Sequence, residues 1–161
     1  MQKQFCLATE PWIKVIDLQG EVKELSLKNA FAQAHEIRCL AGELPNQDFA
    51  VLRFLLAILQ TVMYRYEPDG TEKLLTEPED ALRRWETVWK DKKLPKAVVD
   101  KYLEEWEERF YLFHPDHPFY QVPGIEGMGT SISPGRMIAA VGESDNKACL
   151  LYTSDAADEA R

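Results

Sequence analysis

The residues whose types and spacing could do chemistry lie in one stretch, "RFYLFHPDHPFYQVPG", residues 109–124. It sets His114 and His117 three apart, with Asp116 between them, among aromatic rings and prolines. Such a pair can hold a metal if the backbone aims both imidazoles at one point and further ligands join them, because zinc takes three or four protein ligands. It can also work as an acid/base pair if a nucleophile or carboxylate pair shares the cleft. Neither set of partners is signalled. Pro115 and Pro118 deny the motif a regular helix and bias each preceding histidine toward extended backbone. Asp116 is the only carboxylate inside the motif, and the chain has no GxSxG, HExxH or phosphate-cradling glycine loop. The motif therefore reads as structural: Phe110, Tyr111, Phe113, Phe119 and Tyr120 bury apolar area, and the histidines hydrogen-bond in a turn whose direction the prolines fix. No catalytic residue, bound metal or cofactor is expected. A metal-dependent enzyme using His114 and His117 is the alternative.

The elements that must position this motif begin with strands. "FCLA" (residues 5–8) and "WIKVIDL" (residues 12–18) read as extended, a turn falls at Gln19-Gly20, and "EVKEL" returns to complete a β-hairpin. Ser26 offers an N-cap to a helix over residues 27–37, with Leu27, Ala30, Phe31 and Ala34 on one face. A central helix over residues 48–66 spaces Leu52, Leu55, Leu56, Leu59, Val62 and Met63 at helical intervals, and Pro68, Asp69 and Gly70 end it. "TEPE" (residues 76–79) fits a capping box opening a helix through Leu82, Trp85 and Trp89. Pro95 opens another, with Val98, Tyr102, Trp106 and Phe110 on one side. On its other side Asp100, Glu104, Glu105, Glu107 and Glu108 read as a solvated acidic face. Residues 124–147 form a Gly/Ser-rich loop region around the short apolar piece Met137 to Val141. The fold class is α+β and mainly helical: a small N-terminal β-hairpin, then several packed helices, then loop.

Composition narrows the function classes. At 161 residues, 45% hydrophobic and 29% charged, the chain can build one core and is not of disordered composition. A formal charge of −8 counts against a free-standing nucleic-acid binder, which needs clustered Lys and Arg. Cys6, Cys39 and Cys149 share no spacing that suggests a disulfide frame or zinc knuckle, and no apolar leader precedes Glu10 and Pro11, so a cytoplasmic address is expected. The apolar run of residues 49–64 carries Arg53 and falls short of the roughly 20 residues that span a bilayer. It reads as a buried helix, with no membrane partner.

The end of the chain has a different character. Residues 149–159 can be reverse-translated into the terminal sequence and linker of a transposase-based sequencing adapter, which makes residues 149–161 a non-native tail and residues 1–148 part of a larger N-terminal domain. Setting aside Asp155, Asp158, Glu159 and Arg161 leaves a formal charge of −6 instead of −8.

Three blocks, "EPWIKV" (residues 10–15), "LAGELPNQDFAVLRFLLAILQ" (residues 40–60) and "FYLFHPDHPFYQV" (residues 110–122), together resemble the N-terminal region of the large-subunit family, CasA, of the type I-E CRISPR surveillance complex Cascade. The resemblance implies a binding subunit and not an enzyme. Its implied partners are the other Cascade subunits, CRISPR RNA, double-stranded target DNA and a helicase-nuclease effector. Its implied tasks are recognition of the protospacer-adjacent motif, assistance in duplex opening and R-loop formation, and a platform for the effector. "VGESDNKA" (residues 141–148) matches the approach to a DNA-contacting loop of that family, with Asp145 where relatives have an uncharged residue. Asn146 and Lys147 are the implied DNA-proximal positions. A scaffold that contacts only protein is the remaining alternative.

Overall fold

The computed structural model describes residues 5–121, which belong to one compact unit, Met1–Gly124. The Gly/Ser-rich region, Asn146, Lys147, Cys149 and the adapter-like tail lie outside the described residues.

A three-stranded antiparallel sheet opens the fold in the order β2-β1-β3: β1 is Ile13–Asp17, β2 Val22–Leu25 and β3 Ile37–Leu40. Alternation along β1 turns Ile13, Val15 and Asp17 inward. Asp17 is buried but well partnered. One oxygen accepts the Gln19 and Glu21 amides at 2.9 and 2.8 Å, closing the hairpin turn, and the other lies 2.6 Å from Lys23 Nζ. The Lys23 ammonium holds the Asp17 carboxyl below its ordinary pKa, and the turn amides add to the effect.

The hairpin follows the sequence expectation, and two neighbouring segments depart from it. Residues 5–8 form a turn, not a strand: Cys6 makes only an isolated bridge to Tyr111, and Thr9 and Glu10 donate their amides back to Cys6 O. The helix expected over residues 27–37 stops early. Ser26 caps α1 (Leu27–Ala32) by accepting the Asn29 amide at 3.2 Å, but a 3₁₀ turn over Ala34–Glu36 unwinds the chain into β3. Pairing with β1, which leaves Ile37 and Leu40 against the core, outweighs the continuing helical spacing.

Helix α2 is Pro45–Arg65, α3 Pro78–Asp91 and α4 Lys96–Glu105, followed by a 3₁₀ turn over Glu107–Phe110. The core joins Ile13, Val15, Leu27 and Phe31 to Ile58, Val62 and Tyr66 of the α2 end and to Val98, Val99, Leu103 and Phe110. The α4 stripe is thus centred on Val98, Val99 and Leu103, with Tyr102 and Trp106 at its half-buried edge. Its acidic side is not simply solvated. Glu104 pairs with Lys28 of α1 at 2.8 Å, Glu105 accepts the Tyr66 hydroxyl at 2.6 Å and Glu107 accepts the Tyr111 hydroxyl at 3.1 Å. Tyr66 is pushed up to about 12 by its bond to Glu105 and by burial.

Helix α3 reverses the usual assignment of faces. No capping box forms: the N-cap is Glu77, without a side-chain bond, and Pro78 takes the first turn. Its buried residue is Arg84, only 1% exposed, while Leu82, Trp85 and Trp89 are exposed. The Arg84 guanidinium donates to the carbonyls of Met63 at 2.6 Å, Tyr66 at 3.2 Å and Lys73 at 2.8 Å, and to Glu67 at 3.3 Å. The Met63 and Tyr66 carbonyls belong to the α2 end, where a helix leaves carbonyls without partners, and the Lys73 carbonyl belongs to the loop that follows.

Two outcomes follow. Arg84→Met should cost about 3–5 kcal/mol in urea unfolding, because it leaves several buried carbonyls without a donor while Glu67 keeps Arg83; a loss below about 1 kcal/mol would rule out that role. Asp17 contributes stability that is present above its unfolded pKa of about 3.9 and is lost as pH falls through its lower folded pKa. Asp17→Asn should therefore flatten the acid limb of stability against pH, and an unchanged limb would refute the assignment.

Candidate functional site

The histidine motif folds as a turn closed on His114. The backbone amides of Asp116 and His117 donate to His114 Nδ1 at 3.1 and 2.9 Å, and Nε2 lies 3.0 Å from Glu108 Oε2. An Nδ1 that accepts two amides carries no proton, so the tautomer has its hydrogen on Nε2, directed at the carboxylate. Both ring nitrogens of this buried histidine are thereby engaged. His117 is exposed, and its ring lies nearly parallel to that of His114, with centroids 5.7 Å apart and planes 14° apart. Among the described residues no group of three His, Cys, Asp or Glu is placed to hold a metal ion.

What the motif does instead is join the three sequence blocks. Phe119 meets Phe54 of α2 edge-on at 5.3 Å, Phe54 meets Trp12 at 6.3 Å, and Phe110 stacks on Phe119 at 6.3 Å. Trp12 Nε1 donates to Leu7 O at 3.0 Å, and Leu7 donates its amide to Phe110 O at 2.9 Å, closing the circuit through the backbone. The "AGELPNQD" entry to α2 is equally determined. Asp48 Oδ1 accepts the Gly42 amide at 2.8 Å and Gln47 Oε1 accepts the Glu43 amide at 3.0 Å. A Cβ at position 42 would stand 2.6 Å from Asp48 Oδ1 and would push that carboxylate off the Gly42 amide.

The surface this arrangement leaves open is α2 itself. Only Ile58, Val62 and Met63 of its 21 residues are buried, and Phe49, Leu52 and Leu56 are exposed ahead of them. The helix is therefore not the buried element expected from sequence. Starting at Pro45, it is also long and apolar enough to cross a membrane by length and composition alone. Beside its open face, Val15, Phe31, Leu40, Leu55 and Leu59 line an apolar cleft of about 300 Å³. The arrangement offers apolar contact area. Sequence reasoning missed this surface because helical spacing marks apolar positions without saying whether the described residues cover them.

Comparison with known proteins identifies relatives. The family model described as CRISPR-associated protein Cse1 matches residues 7–160. The CRISPR-associated protein CasA/Cse1 of Thermus thermophilus is 33% identical over 123 residues, 76% of this chain and 22% of that protein. The crystal structure of Thermobifida fusca Cse1 superposes with a TM-score of 0.60 at 38% identity, covering 73% of this chain and 20% of that one. A chain of a CRISPR RNA-guided surveillance complex in a pre-nicking state shares the fold, with a TM-score of 0.61 at 24% identity over 80% of this chain and 25% of its own. The chain spans about a fifth of the length of the first two relatives.

The turn predicts an asymmetry between its histidines. His114→Phe should destabilise the chain by about 1–3 kcal/mol through two stranded amides. His114→Asn should cost less, because an asparagine oxygen accepts the amide two residues on. His117→Asn should stay within about 0.5 kcal/mol, as surface changes do. Chemical denaturation measures all three, and one equivalent of metal lost on His117→Asn would overturn the structural reading.

Proposed function

The chain belongs to the CRISPR-associated Cse1 family, and from that premise we propose that it works as the N-terminal part of the large subunit of a CRISPR RNA-guided surveillance complex, as a binding component and not a catalyst. The observation that carries this reading is the family match over residues 7–160, together with the meeting of Trp12, Phe54 and Phe119 in one aromatic chain. The partners proposed are the other complex subunits, CRISPR RNA, double-stranded target DNA and a helicase-nuclease effector. In the full-length subunit the proposed tasks are to read the motif flanking the target, to assist duplex opening and R-loop formation, and to offer a platform to the effector. Asn146 and Lys147 are the positions proposed closest to DNA. The open face of α2 suits this assignment. Exposed Phe49, Leu52 and Leu56 beside an apolar cleft need covering by protein, and the relatives' much greater length supplies polypeptide of the same subunit to do it.

An acidic chain can serve such a complex because neighbouring subunits and guide RNA contacts provide what its own charge of −8 does not. The chain alone should therefore show no motif-dependent affinity for duplex DNA. A reconstituted complex containing a full-length subunit should discriminate targets with the correct flanking motif from those without it. The measurement is a titration at fixed salt with matched and motif-mutated duplexes. Submicromolar, motif-dependent binding by the chain alone would overturn the division of labour. Unchanged discrimination by a complex lacking the subunit would instead favour a protein-only scaffold.

A further inference from the structure

Two of the chain's four tryptophans lie on α3 with indole surface open to solvent: Trp89, near the helix end, is 85% exposed, and Trp85, one turn earlier and partly covered by α2, is 39% exposed. One turn apart on the helix, they border a cleft of about 570 Å³ completed by Leu94, His35, Lys92 and Lys93. Lys92 and Lys93 have no carboxylate partner among the described residues, whereas Lys90 lies 3.9 Å from Glu86, His35 lies 3.5 Å from Glu36, and Lys96 is paired with Asp100. Lys92 also occupies a left-handed position, φ 54°, at the helix C-cap, where glycine would avoid the conformational cost. A lysine at such a position, beside a second lysine without a carboxylate partner, the exposed Trp89 and the partly exposed Trp85, points to a use for its charge.

We propose that the cleft bordered by Trp85, Trp89, Lys92 and Lys93 binds single-stranded RNA, with the indoles stacking on bases and the two ammonium groups meeting phosphates. Aromatic faces beside cations are the elements by which single strands are held without sequence readout. The other large apolar faces of the domain, on α2, carry no comparable pair of unpartnered cations, so charge complementarity distinguishes this cleft. The choice of RNA rests on the family reading given above. The place of binding rests on the cleft.

The test is a titration of the 161-residue chain with an eight-nucleotide oligouridylate at 50 mM salt, read by tryptophan fluorescence. Saturable quenching is expected. Trp89→Ala should weaken binding by about tenfold, in line with the loss of one stacked base. Lys92→Ala/Lys93→Ala should reduce the slope of log K against log salt by about 1.4, two phosphate contacts at about 0.7 each. Circular dichroism checks that these exposed substitutions leave the helices intact. Absence of saturable binding, or variants that bind like the parent, would overturn the proposal. So would tighter binding of the matching oligodeoxynucleotide, or self-association of the parent chain that Trp89→Ala abolishes, which would make the cleft a contact between copies. Co-purification of a full-length subunit with the other complex components tests the family reading separately, so the two can fail independently.

Discussion

One guanidinium secures the far half of this fold. Arg84 lies 1% exposed against the carbonyl end of α2 and spans the loop between α2 and α3 to reach Lys73 O. A helix terminus that is not capped by its own side chains must find donors elsewhere, and a planar five-donor group can serve several carbonyls at once where a lysine could not. Glu67 neutralises the buried charge and gathers Arg83, 2.8 Å away, into the same node, which holds the Glu67 carboxyl below its ordinary pKa. Because α3 is anchored through this polar junction, its apolar residues are not needed for attachment. Leu82 and Trp89 are left facing outward, and Trp85 is only partly covered, as a consequence of how the helix is held.

Helix α2 shows the complementary arrangement. Its C-terminal half supplies Ile58, Val62 and the following Tyr66 to the core, and the arginine node fixes where it stops. Its N-terminal half is fixed at the entry, where Asp48 and Gln47 reach back to the Gly42 and Glu43 amides, and by Phe54 between Trp12 and Phe119. Both ends are thus specified while one face stays open. That combination suits a helix whose orientation must be set within its own unit before another stretch of protein covers it.

Much of this was legible in the sequence, and the failures have physical causes. The hairpin, the Ser26 cap and the existence of three later helices follow from alternation, cap chemistry and helical spacing, all local signals. Strand β3 was hidden because Ile37 continues a helical apolar pattern, and only its pairing with β1 shows that the chain has become extended. The role of Arg84 was hidden for a related reason. Apolar residues at Leu82, Trp85 and Trp89 mark a helical stripe, but a charged side chain announces its burial only when several carbonyls, eleven to twenty-one residues away in sequence, converge on it. The acidic side of α4 looked solvated because its partners, Lys28, Tyr66 and Tyr111, come from three different elements.

The histidine motif shows why residue types that suggest catalysis can be spent on architecture. An imidazole used in acid/base chemistry or metal binding must keep a nitrogen for the substrate or ion. His114 keeps none: its Nδ1 gathers the amides of a proline-bounded turn and its Nε2 is directed at Glu108. The turn in turn places Phe119, whose amide donates to Tyr111 O at 3.0 Å, and Phe119 carries the contact to Phe54 and thence to Trp12. The chemically suggestive spacing of His114 and His117 therefore arises from a packing requirement. The first closes the turn, the second supplies a backbone donor to it, and the aromatic rings around them tie the C-terminal end of the described chain to its beginning.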